Sequence, residues 1–403
     1  MLPELIGLPL VVLLVVLALA AALGGALLWP RLARTGPLTV LARVGVLVLC
    51  QVTAVALLAD LVNRQYAFFT SWDDLLGRPP AEAVAGHLPV PEHYRVGVLP
   101  LAQAQVHGEL LDEALPGATT HLTGAAYVYL PPEYFSPRWA GVRFPVAVWL
   151  AGYPGSGDTI VQHLDLVQAM QTEVDLHHAQ PMVLVMMSPT LAPPRDTECA
   201  DVPHGPQVRT YFERDLPQLL ESRYRVARAR TGWAVDGIST GGFCAATLLL
   251  HDPQRYATGV SVSGYYSALL DGTTGALYAG SQALRDDNDP LWLLAHRPAP
   301  PVALLITASR QEKEVYAQSL ALLRAARAPM TVDARFVQSG GHNYTVFRAE
   351  VPAVLDWLSA RLQPETDEPV AVRSTTGAPR HSRPGGRPRT AVVRSSPRAA
   401  PGR

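Results

Sequence analysis

A five-residue segment of this chain has the pattern that presents a reactive serine to a substrate. Residues 237–241 read Gly-Ile-Ser-Thr-Gly, between an apolar run that ends at Val235 and a run of small residues that starts at Gly242. Gly-x-Ser-x-Gly between a strand and a helix is the nucleophile elbow, whose tight turn needs small flanking residues so that the serine stands clear of the sheet edge. The pattern therefore predicts acyl transfer through Ser239.

A nucleophilic serine needs a base, and the chain order indicates which histidine supplies it. With this elbow, the partners follow the serine in the order acid, then histidine, each after a strand. Residues 340–344 read Gly-Gly-His-Asn-Tyr, between the last predicted strand and the last predicted helix, and His342 lies 103 residues after Ser239. His342 is therefore the predicted general base. The alternative is an ordinary histidine on a surface loop.

The acid is expected in the loop after the preceding strand, which ends at Thr307. That loop, residues 308–314, reads Ala-Ser-Arg-Gln-Glu-Lys-Glu. A carboxylate at this place would hold the imidazole in one tautomer and stabilise the imidazolium. We assign the role to Glu312 and keep Glu314 as the alternative acid. Either could instead be a solvated first-turn glutamate that the helix dipole favours.

The oxyanion of the acyl-transfer intermediate needs two backbone N–H groups aimed at the developing charge. One is expected from Thr240, the residue after the nucleophile. The other is assigned to Tyr153, in the loop 151–155 that reads Ala-Gly-Tyr-Pro-Gly after the second core strand. The alternative is that this glycine- and proline-rich loop is simply a sharp turn.

Short apolar runs and helical stretches alternate over residues 119–362, and this alternation predicts an α/β fold with a mostly parallel sheet and helices on both faces. The predicted strands are 125–130, 146–150, 182–187, 232–235, 259–263, 302–307 and 331–337. The predicted helices are 159–167, 210–222, 242–251, 314–326 and 344–361. Two early strands could lead into this domain, at 96–101 and 103–111.

Two long apolar runs precede the domain, at residues 5–29 and 39–62. Each is long enough to cross ~30 Å of hydrocarbon. Arg31 and Arg34 place the connection between them in the cytoplasm by the positive-inside rule, so everything after the second run is expected outside. The alternative for the first run is a signal peptide, against which its start carries Glu4 and neither Lys nor Arg.

These features divide the chain into four predicted regions: two transmembrane helices in 1–63, a juxtamembrane segment in 64–118, the catalytic domain in 119–362 and a disordered tail in 363–403. The tail carries eight arginines and almost no large apolar side chains, so it cannot bury enough surface to offset its ordering entropy. It is either a solvated tail or an electrostatic attachment to an anionic envelope polymer or lipid surface. The formal net charge of −1 argues against a nucleic-acid partner.

The sequence predicts neither a cofactor nor a metal ion. It has no Walker A loop and no dinucleotide fingerprint in the required setting. His177 and His178 are adjacent, so they point in different directions, and no carboxylate sits at ligand spacing beside them. Cys199 and Cys244 lie in the part expected outside, where an oxidising compartment would allow a disulfide. Two buried free thiols are the alternative.

The elbow, the acid loop and the Gly-Gly-His loop together make residues 119–362 resemble the putative-esterase family of α/β hydrolases. That family includes the esterase D (S-formylglutathione hydrolase) enzymes and the mycolyltransferases. The string Tyr-Val-Tyr-Leu-Pro-Pro-Glu-Tyr at 127–134 is similar to the family's Leu-Pro-x-Gly-Tyr segment, and Gly-His-Asn at 341–343 also matches. The resemblance implies an α/β-hydrolase fold, here preceded by a two-helix transmembrane hairpin.

The two apolar runs make the chain look like the membrane-bound exported esterases of high-GC Gram-positive bacteria. Those proteins carry an Asp-Thr-Glu-Cys string, here residues 196–199, and a cysteine after the elbow. The resemblance therefore favours a Cys199–Cys244 disulfide. It also implies a multi-pass protein of the cell membrane with an extracellular catalytic domain.

One departure from the family narrows the predicted chemistry. Mycolyltransferases carry Asp-Gly-Leu-Arg at the oxyanion loop, where residues 151–154 here read Ala-Gly-Tyr-Pro. The expected function is therefore carboxylic ester hydrolysis by a serine hydrolase, with an ester or acyl-lipid substrate. Acyl transfer to envelope lipids or sugars and a non-catalytic wall-associated scaffold are the alternatives. Segment 269–300 with Tyr265, Tyr266 and Tyr278 could form an apolar acyl cleft or pack as a lid.

Overall fold

The strands and helices follow the alternation in the sequence. The computed structural model describes residue 5 and residues 7–32, 36–66, 68–76 and 96–366. The α-helices are α1 (Leu8–Leu32), α2 (Pro37–Tyr66), α3 (Trp72–Leu75), α4 (Leu101–His107), α5 (Gly157–His163), α6 (Leu166–Asp175), α7 (Val208–Thr210), α8 (Leu216–Arg223), α9 (Thr240–His251), α10 (Gln282–Asp287), α11 (Pro290–His296), α12 (Lys313–Ala325) and α13 (Tyr344–Ser359). The strands are β1 (Glu109–Pro116), β2 (Thr123–Leu130), β3 (Val142–Arg143), β4 (Val146–Leu150), β5 (Val183–Met187), β6 (Trp233–Ile238), β7 (Thr258–Val262), β8 (Ala303–Ser309), β9 (Thr331–Val337) and β10 (Glu365–Thr366). Short 3₁₀ turns lie at Pro132–Phe135, Pro137–Trp139 and Arg230–Gly232, and a π-helical turn at Tyr211–Asp215.

Eight of these strands form one sheet, in the order β1-β2-β5-β4-β6-β7-β8-β9. Neighbours from β5 through β9 run parallel, whereas β2 runs antiparallel to both β1 and β5. Parallel neighbours need crossover connections, and helices on both faces supply them. The predicted mostly parallel α/β sheet is confirmed. Since β6, β8 and β9 are parallel, their carboxyl ends lie along one border of the sheet, called the carboxyl edge below.

The central strands are buried on both faces, which explains why they read as continuous apolar runs. In β4, the side chains of Val146, Val148 and Leu150 enter one core layer, and those of Ala147 and Trp149 enter the other. The first layer packs against α8, α9 and α12, and the second against α5, α6 and α13. The loops of the carboxyl edge are therefore carried by a close-packed scaffold.

The region before β1 differs from the two early strands expected there. Residues 101–107 form α4, and Val96 makes only a single bridge, to Leu110. The segment Leu-Ala-Gln-Ala-Gln-Val-His contains good helix formers, and Gly108 ends the helix with φ 72°. The strand starts later, at Glu109, and continues to Pro116. The prediction of strands over 96–101 and 103–107 is therefore wrong.

The two apolar runs form α1 and α2, which pack against each other. Both helices are long and apolar enough to cross a bilayer, and few of their side chains are buried. A Cβ on Gly25 would lie 2.8 Å from Val46 Cγ1, so the two backbones approach closely at a small residue, as membrane helices do. These helices are consistent with membrane anchoring or, for α1, with a signal sequence.

The basic tail lies outside the described residues from position 367 onward. Just before it, Glu365 and Thr366 form β10, which pairs antiparallel with β3. The chain is thus still part of the folded domain a few residues beyond 362. The interior of the juxtamembrane segment, residues 77–95, also lies outside the described part.

Candidate active site

Ser239 sits on the turn between β6 and α9 in a strained backbone conformation. Its φ is 55° and its ψ is −117°, values that non-glycine residues rarely adopt. The Ser239 amide donates to Val262 O at 2.9 Å, and the Ser239 carbonyl accepts from Phe243 N at 3.0 Å. These bonds hold the strained turn in place, and the side chain remains partly exposed. This is the geometry of a nucleophile elbow.

Glycines allow the elbow to lie this close to the strands beside it. A Cβ on Gly241 would lie 2.1 Å from Leu150 O, and one on Gly237 would lie 2.3 Å from the Gly241 carbonyl carbon. A Cβ on Gly152 would lie 3.1 Å from Ser239 Cβ. Both glycines of the Gly-x-Ser-x-Gly pattern are therefore required, because any side chain at either position would clash with neighbouring backbone atoms.

Glu312 and His342 meet at the carboxyl edge, after β8 and β9. His342 Nδ1 lies 2.6 Å from Glu312 Oε1. The second carboxylate oxygen, Oε2, accepts from Ser263 Oγ at 2.9 Å and from Ser309 N at 3.0 Å. Glu312 is 3% exposed, so these donors take the place of water around its charge. The carboxylate is thus fixed, and it orients the imidazole.

Glu314, the alternative acid, lies on α12 and faces a different partner. Its carboxylate accepts from Gln318 Nε2, one helical turn further on, at 3.0 Å. Such an i, i+4 pair on an exposed helix surface is ordinary helix chemistry. The geometry favours Glu312 as the partner of His342.

No hydrogen bond joins Ser239 Oγ to His342 among the residues that the structure describes. Catalytic contacts of this kind are often long in a free enzyme and tighten when substrate binds. The Glu312 contact engages Nδ1, so Nε2 is the nitrogen left to act as base. His342 is 19% exposed at its side chain, which leaves the imidazole reachable.

The loop after β4 forms a tight turn beside the nucleophile. The Tyr153–Pro154 peptide is cis, and Gly155 N donates to Gly152 O at 2.6 Å. Thr240 is the first residue of α9, where backbone N–H groups have no acceptor within the helix. The two residues assigned to the oxyanion therefore flank Ser239, one on this turn and one on the helix.

One loop, which was not predicted to be part of the site, contacts both Tyr153 and Thr240. Tyr153 Oη donates to Pro194 O at 2.7 Å, and Thr240 Oγ1 donates to Asp196 Oδ2 at 3.3 Å. Asp196 is buried, and burial raises the pKa of its carboxyl. The loop 194–199, called the buttress loop below, therefore contacts both residues that were predicted to bind the oxyanion. The Asp-Thr-Glu-Cys string at residues 196–199 is the sequence feature that could have indicated this loop as part of the site.

Cys199 of the buttress loop is joined to Cys244 of α9 by a disulfide. Both residues are fully buried. The bridge fixes the loop to the helix that begins directly after Ser239. This is the pairing that the resemblance favoured.

Replacing both cysteines with alanine is expected to lower the free energy of unfolding by about 4 kcal/mol, because the 45-residue separation gives the unfolded chain more entropy once the bridge is lost. The thermal midpoint of the detergent-purified chain measures the change. Cys50→Ala, which removes the free cysteine, is the control. A midpoint unchanged by the double substitution would contradict a stabilising bridge.

Glu198, also in the buttress loop, holds the segment that follows β7. Its Oε1 accepts from Tyr265 Oη at 2.7 Å, and its Oε2 accepts from Tyr278 Oη at 3.0 Å and from Leu269 N at 3.1 Å. Burial raises the pKa of the Glu198 carboxyl to about 8, although the bonds from the tyrosines lower it. Asp196 nearby raises that pKa further.

This raised pKa has a consequence for stability against pH. The folded state holds the Glu198 proton more tightly than the unfolded chain does. The contribution of this proton to the free energy of unfolding is therefore fully present below the unfolded pKa of about 4.3, and it is lost as pH rises towards about 8. One such proton changes the free energy of unfolding by about 1.4 kcal/mol per pH unit. Compared with Glu198→Gln, the wild type is expected to lose about 3 °C of thermal midpoint per pH unit between pH 5 and 8. Parallel curves for the two proteins would contradict a neutral Glu198.

The tyrosines of the predicted acyl cleft are mostly packed rather than open. Tyr266 is fully buried and donates to Ser261 Oγ at 3.0 Å. Tyr278 is 2% exposed, and Tyr265 stacks on Phe243 with ring centroids 4.8 Å apart. Of the two alternatives, lid packing is the one that the structure supports.

Two surface cavities lie away from Ser239. A groove of about 610 Å³ runs between β9 and α13, beside Trp357, and a cavity of about 390 Å³ lies in the lid segment beside Tyr278. Neither is lined by Ser239 or His342. These two cavities are therefore not part of the Ser239 site.

One cluster of metal-ligand type occurs among the described residues, beside that groove. Atoms of Glu173, His178 and Asp356 lie within 4.8 Å of one another, and His178 Nδ1 is 2.9 Å from Glu173 Oε2. The prediction that no carboxylate lies beside the histidine pair is therefore wrong, because Glu173 lies next to His178. His177 has φ 60°, which turns the chain back so that His178 meets the end of α6. The cluster shares no residue with the Ser239 site.

Comparison with known proteins places these features in a family. A model of the family described as "Putative esterase" matches residues 123–358. Among solved structures, the chain is similar to an S-formylglutathione hydrolase from Agrobacterium tumefaciens (TM-score 0.53, 17% identity, 62% of this chain and 94% of that one). It is also similar to a ferulic acid esterase (TM-score 0.52, 17% identity, 63% and 98%). These likenesses establish the α/β-hydrolase fold.

A curated relative, an uncharacterized protein of Corynebacterium glutamicum, is 25% identical over 269 residues. The match covers 63% of this chain, and the chain spans 62% of the relative's length. The family match itself covers more than half of the chain and includes Ser239, Glu312 and His342. The chain belongs to the putative esterase family.

Proposed function

We propose that this protein is a membrane-anchored, extracytoplasmic serine esterase that hydrolyses carboxylic esters through Ser239, His342 and Glu312. The observation that carries the proposal is the buried Glu312 carboxylate, 2.6 Å from His342 Nδ1, at the same sheet edge as the strained Ser239 turn. A buried acid, an oriented imidazole and a partly exposed serine in this chain order are the parts of an acyl-transfer triad.

The reaction follows from the positions of these groups. His342 Nε2 takes the Ser239 Oγ proton as the oxygen attacks the ester carbonyl, and Glu312 stabilises the imidazolium that forms. The Tyr153 and Thr240 amides donate to the tetrahedral oxyanion. The C–O bond to the leaving alcohol then breaks, and His342 gives the alcohol its proton. Water, deprotonated by His342, attacks the acyl-enzyme, which releases the acid and restores Ser239.

The N-terminal region anchors this domain in our proposal. Helices α1 and α2 cross the membrane, the short arginine-bearing connection lies in the cytoplasm, and the domain from residue 119 lies outside. The membrane hairpin occupies residues 1–63 and the juxtamembrane segment follows it. The catalytic domain, predicted at 119–362, also includes β1 at its start and β10 at its end, so the basic tail follows Thr366. The tail's arginines suit an anionic envelope polymer or lipid surface.

Hydrolysis rather than acyl transfer is the proposed outcome, because the oxyanion loop lacks the aspartate and arginine of the mycolyltransferase string. The test uses the detergent-purified full chain with p-nitrophenyl esters of increasing acyl length, with and without trehalose or glycerol as competing acceptors. Mass spectrometry of the products should find the free acid in every case. Acyl-sugar or acyl-glycerol as the main product would contradict hydrolysis, and no turnover of any ester would contradict the esterase itself.

A further inference from the structure

The last turn of the second apolar helix is hydrogen-bonded to a residue that follows it. Asn63, in the last turn of α2, donates from Nδ2 to Phe69 O at 2.8 Å and accepts from Phe69 N at 2.8 Å. One side-chain amide thus pairs with both backbone groups of a residue six positions further on. We call residues 63–66 together with 68 and 69 the juxtamembrane turn. The two hydrogen bonds fix Phe69 relative to the last turn of α2.

This turn touches the loop that carries the candidate base. Asn343 Nδ2 donates to Phe68 O at 2.6 Å. The same side chain caps α13, because Asn343 Oδ1 accepts from Val346 N at 3.2 Å. Asn343 directly follows His342. The Asn343 side chain therefore links the segment just after α2 to the start of α13, directly beside His342.

The contact fixes which border of the domain lies next to α2. Phe68 is two residues from Tyr66, the end of α2, a span of at most ~7 Å. Ser239, Glu312 and His342 all follow parallel strands at the carboxyl edge. That edge is therefore the one beside the end of α2. The side chain of Phe68, which makes this contact through its backbone, is 39% exposed.

We propose that the juxtamembrane turn docks the catalytic domain with its active site against the outer membrane surface, so that its substrates are esters of amphiphiles resident in that bilayer. This rests on the esterase function and the anchoring proposed above. Both lipid esters and soluble esters could enter an exposed serine site. The docking favours the lipid esters, because a site held at the bilayer surface samples membrane substrates at the high effective concentration of an intramolecular encounter.

The test compares two substrates in one preparation of the full chain in lipid nanodiscs. One is a water-soluble short-chain p-nitrophenyl ester, and the other is a fluorogenic long-chain ester embedded in the same bilayer. The variant carries ten Gly and Ser residues inserted after Tyr66, which adds roughly 18 Å of flexible chain between the end of α2 and Phe68 and so separates Asn63 from Phe69. The matched control carries the same insertion after Leu76. This position follows the turn, so the connection from α2 through the turn to the Phe68–Asn343 contact stays uninterrupted.

The insertion after Tyr66 is expected to lower kcat/KM for the embedded ester at least about ten-fold, while kcat/KM for the soluble ester stays within about two-fold of wild type. The control insertion is expected to leave both values unchanged. Equal loss on both substrates, or no loss on the embedded ester, would overturn the docking proposal. A wild type that hydrolyses the soluble ester but not the embedded one would also overturn it, whereas turnover of neither would overturn the esterase function and the docking with it.

Discussion

Replacing Ser239 with alanine is expected to lower kcat for ester hydrolysis by roughly 10⁴- to 10⁶-fold, the loss that follows removal of a triad nucleophile. Alanine has no oxygen to attack the ester, so the acyl-enzyme cannot form. The residual rate would come from the oxyanion amides of Tyr153 and Thr240 and from substrate binding alone. Initial rates with a p-nitrophenyl ester measure the change.

The Ser239 result needs a control for the fold. Ser222 lies on the exposed side of α8, where its hydroxyl donates to Leu219 O at 2.8 Å. Ser222→Ala is expected to leave kcat within about two-fold of wild type, since exposed substitutions of this kind have small effects. A Ser239→Ala enzyme that keeps more than a tenth of wild-type kcat, with an unchanged thermal midpoint, would remove Ser239 from the mechanism.

The second large effect is expected at the acid. Glu312→Gln keeps the size of the side chain, but its amide no longer offers the charge that stabilises the imidazolium, and its NH₂ group favours the wrong imidazole tautomer. We expect kcat to fall by about 10⁴-fold, as for comparable acid-to-amide changes in triads. Steady-state kinetics at one pH with one soluble ester are sufficient to measure it.

Glu314→Gln is the matched control, because it makes the same chemical change two positions away. Its carboxylate pairs with Gln318 rather than with His342, so kcat is expected to stay within about two-fold of wild type. If Glu314→Gln lost orders of magnitude and Glu312→Gln did not, the assignment of the acid would be reversed.

Much of this fold could be predicted from the sequence because its signals are local. The buried strands read as apolar runs, and the parallel sheet follows from their alternation with helices. The elbow glycines are required by contacts within a few residues and with the adjoining strand, so the glycine spacing can be recognised in the sequence. Chain order then pointed from Ser239 to Glu312 and His342, and the structure brings the latter two together.

The parts that the sequence did not predict depend on long-range contacts. The buttress loop reaches Tyr153 and Thr240 across about 40 positions of the chain, and no periodic pattern encodes that approach. Glu198 gains its tyrosine donors from 67 and 80 residues away. The meeting of Phe68 with Asn343 spans 275 residues. Such contacts form only after the whole sheet has packed, so no short stretch of sequence predicts them.

The error before β1 has a local cause. Residues 101–111 mix helix formers with apolar residues, and a short run of this kind fits either period. Gly108 resolves it, since its positive φ ends α4 and lets β1 begin at Glu109. Near the histidine pair, the positive φ of His177 similarly turned His178 towards Glu173, which strand or helix spacing could not anticipate.

The central claim is that Ser239 is a nucleophile activated by its surroundings, and covalent labelling tests it most directly. The folded full chain is incubated with a fluorophosphonate, digested, and the modified residue identified by mass spectrometry. We predict a single phosphonylated serine, Ser239, with no adduct in Ser239→Ala and strongly slowed labelling in Glu312→Gln. Folded wild-type protein that leaves Ser239 unlabelled, or that labels another serine instead, would contradict the account.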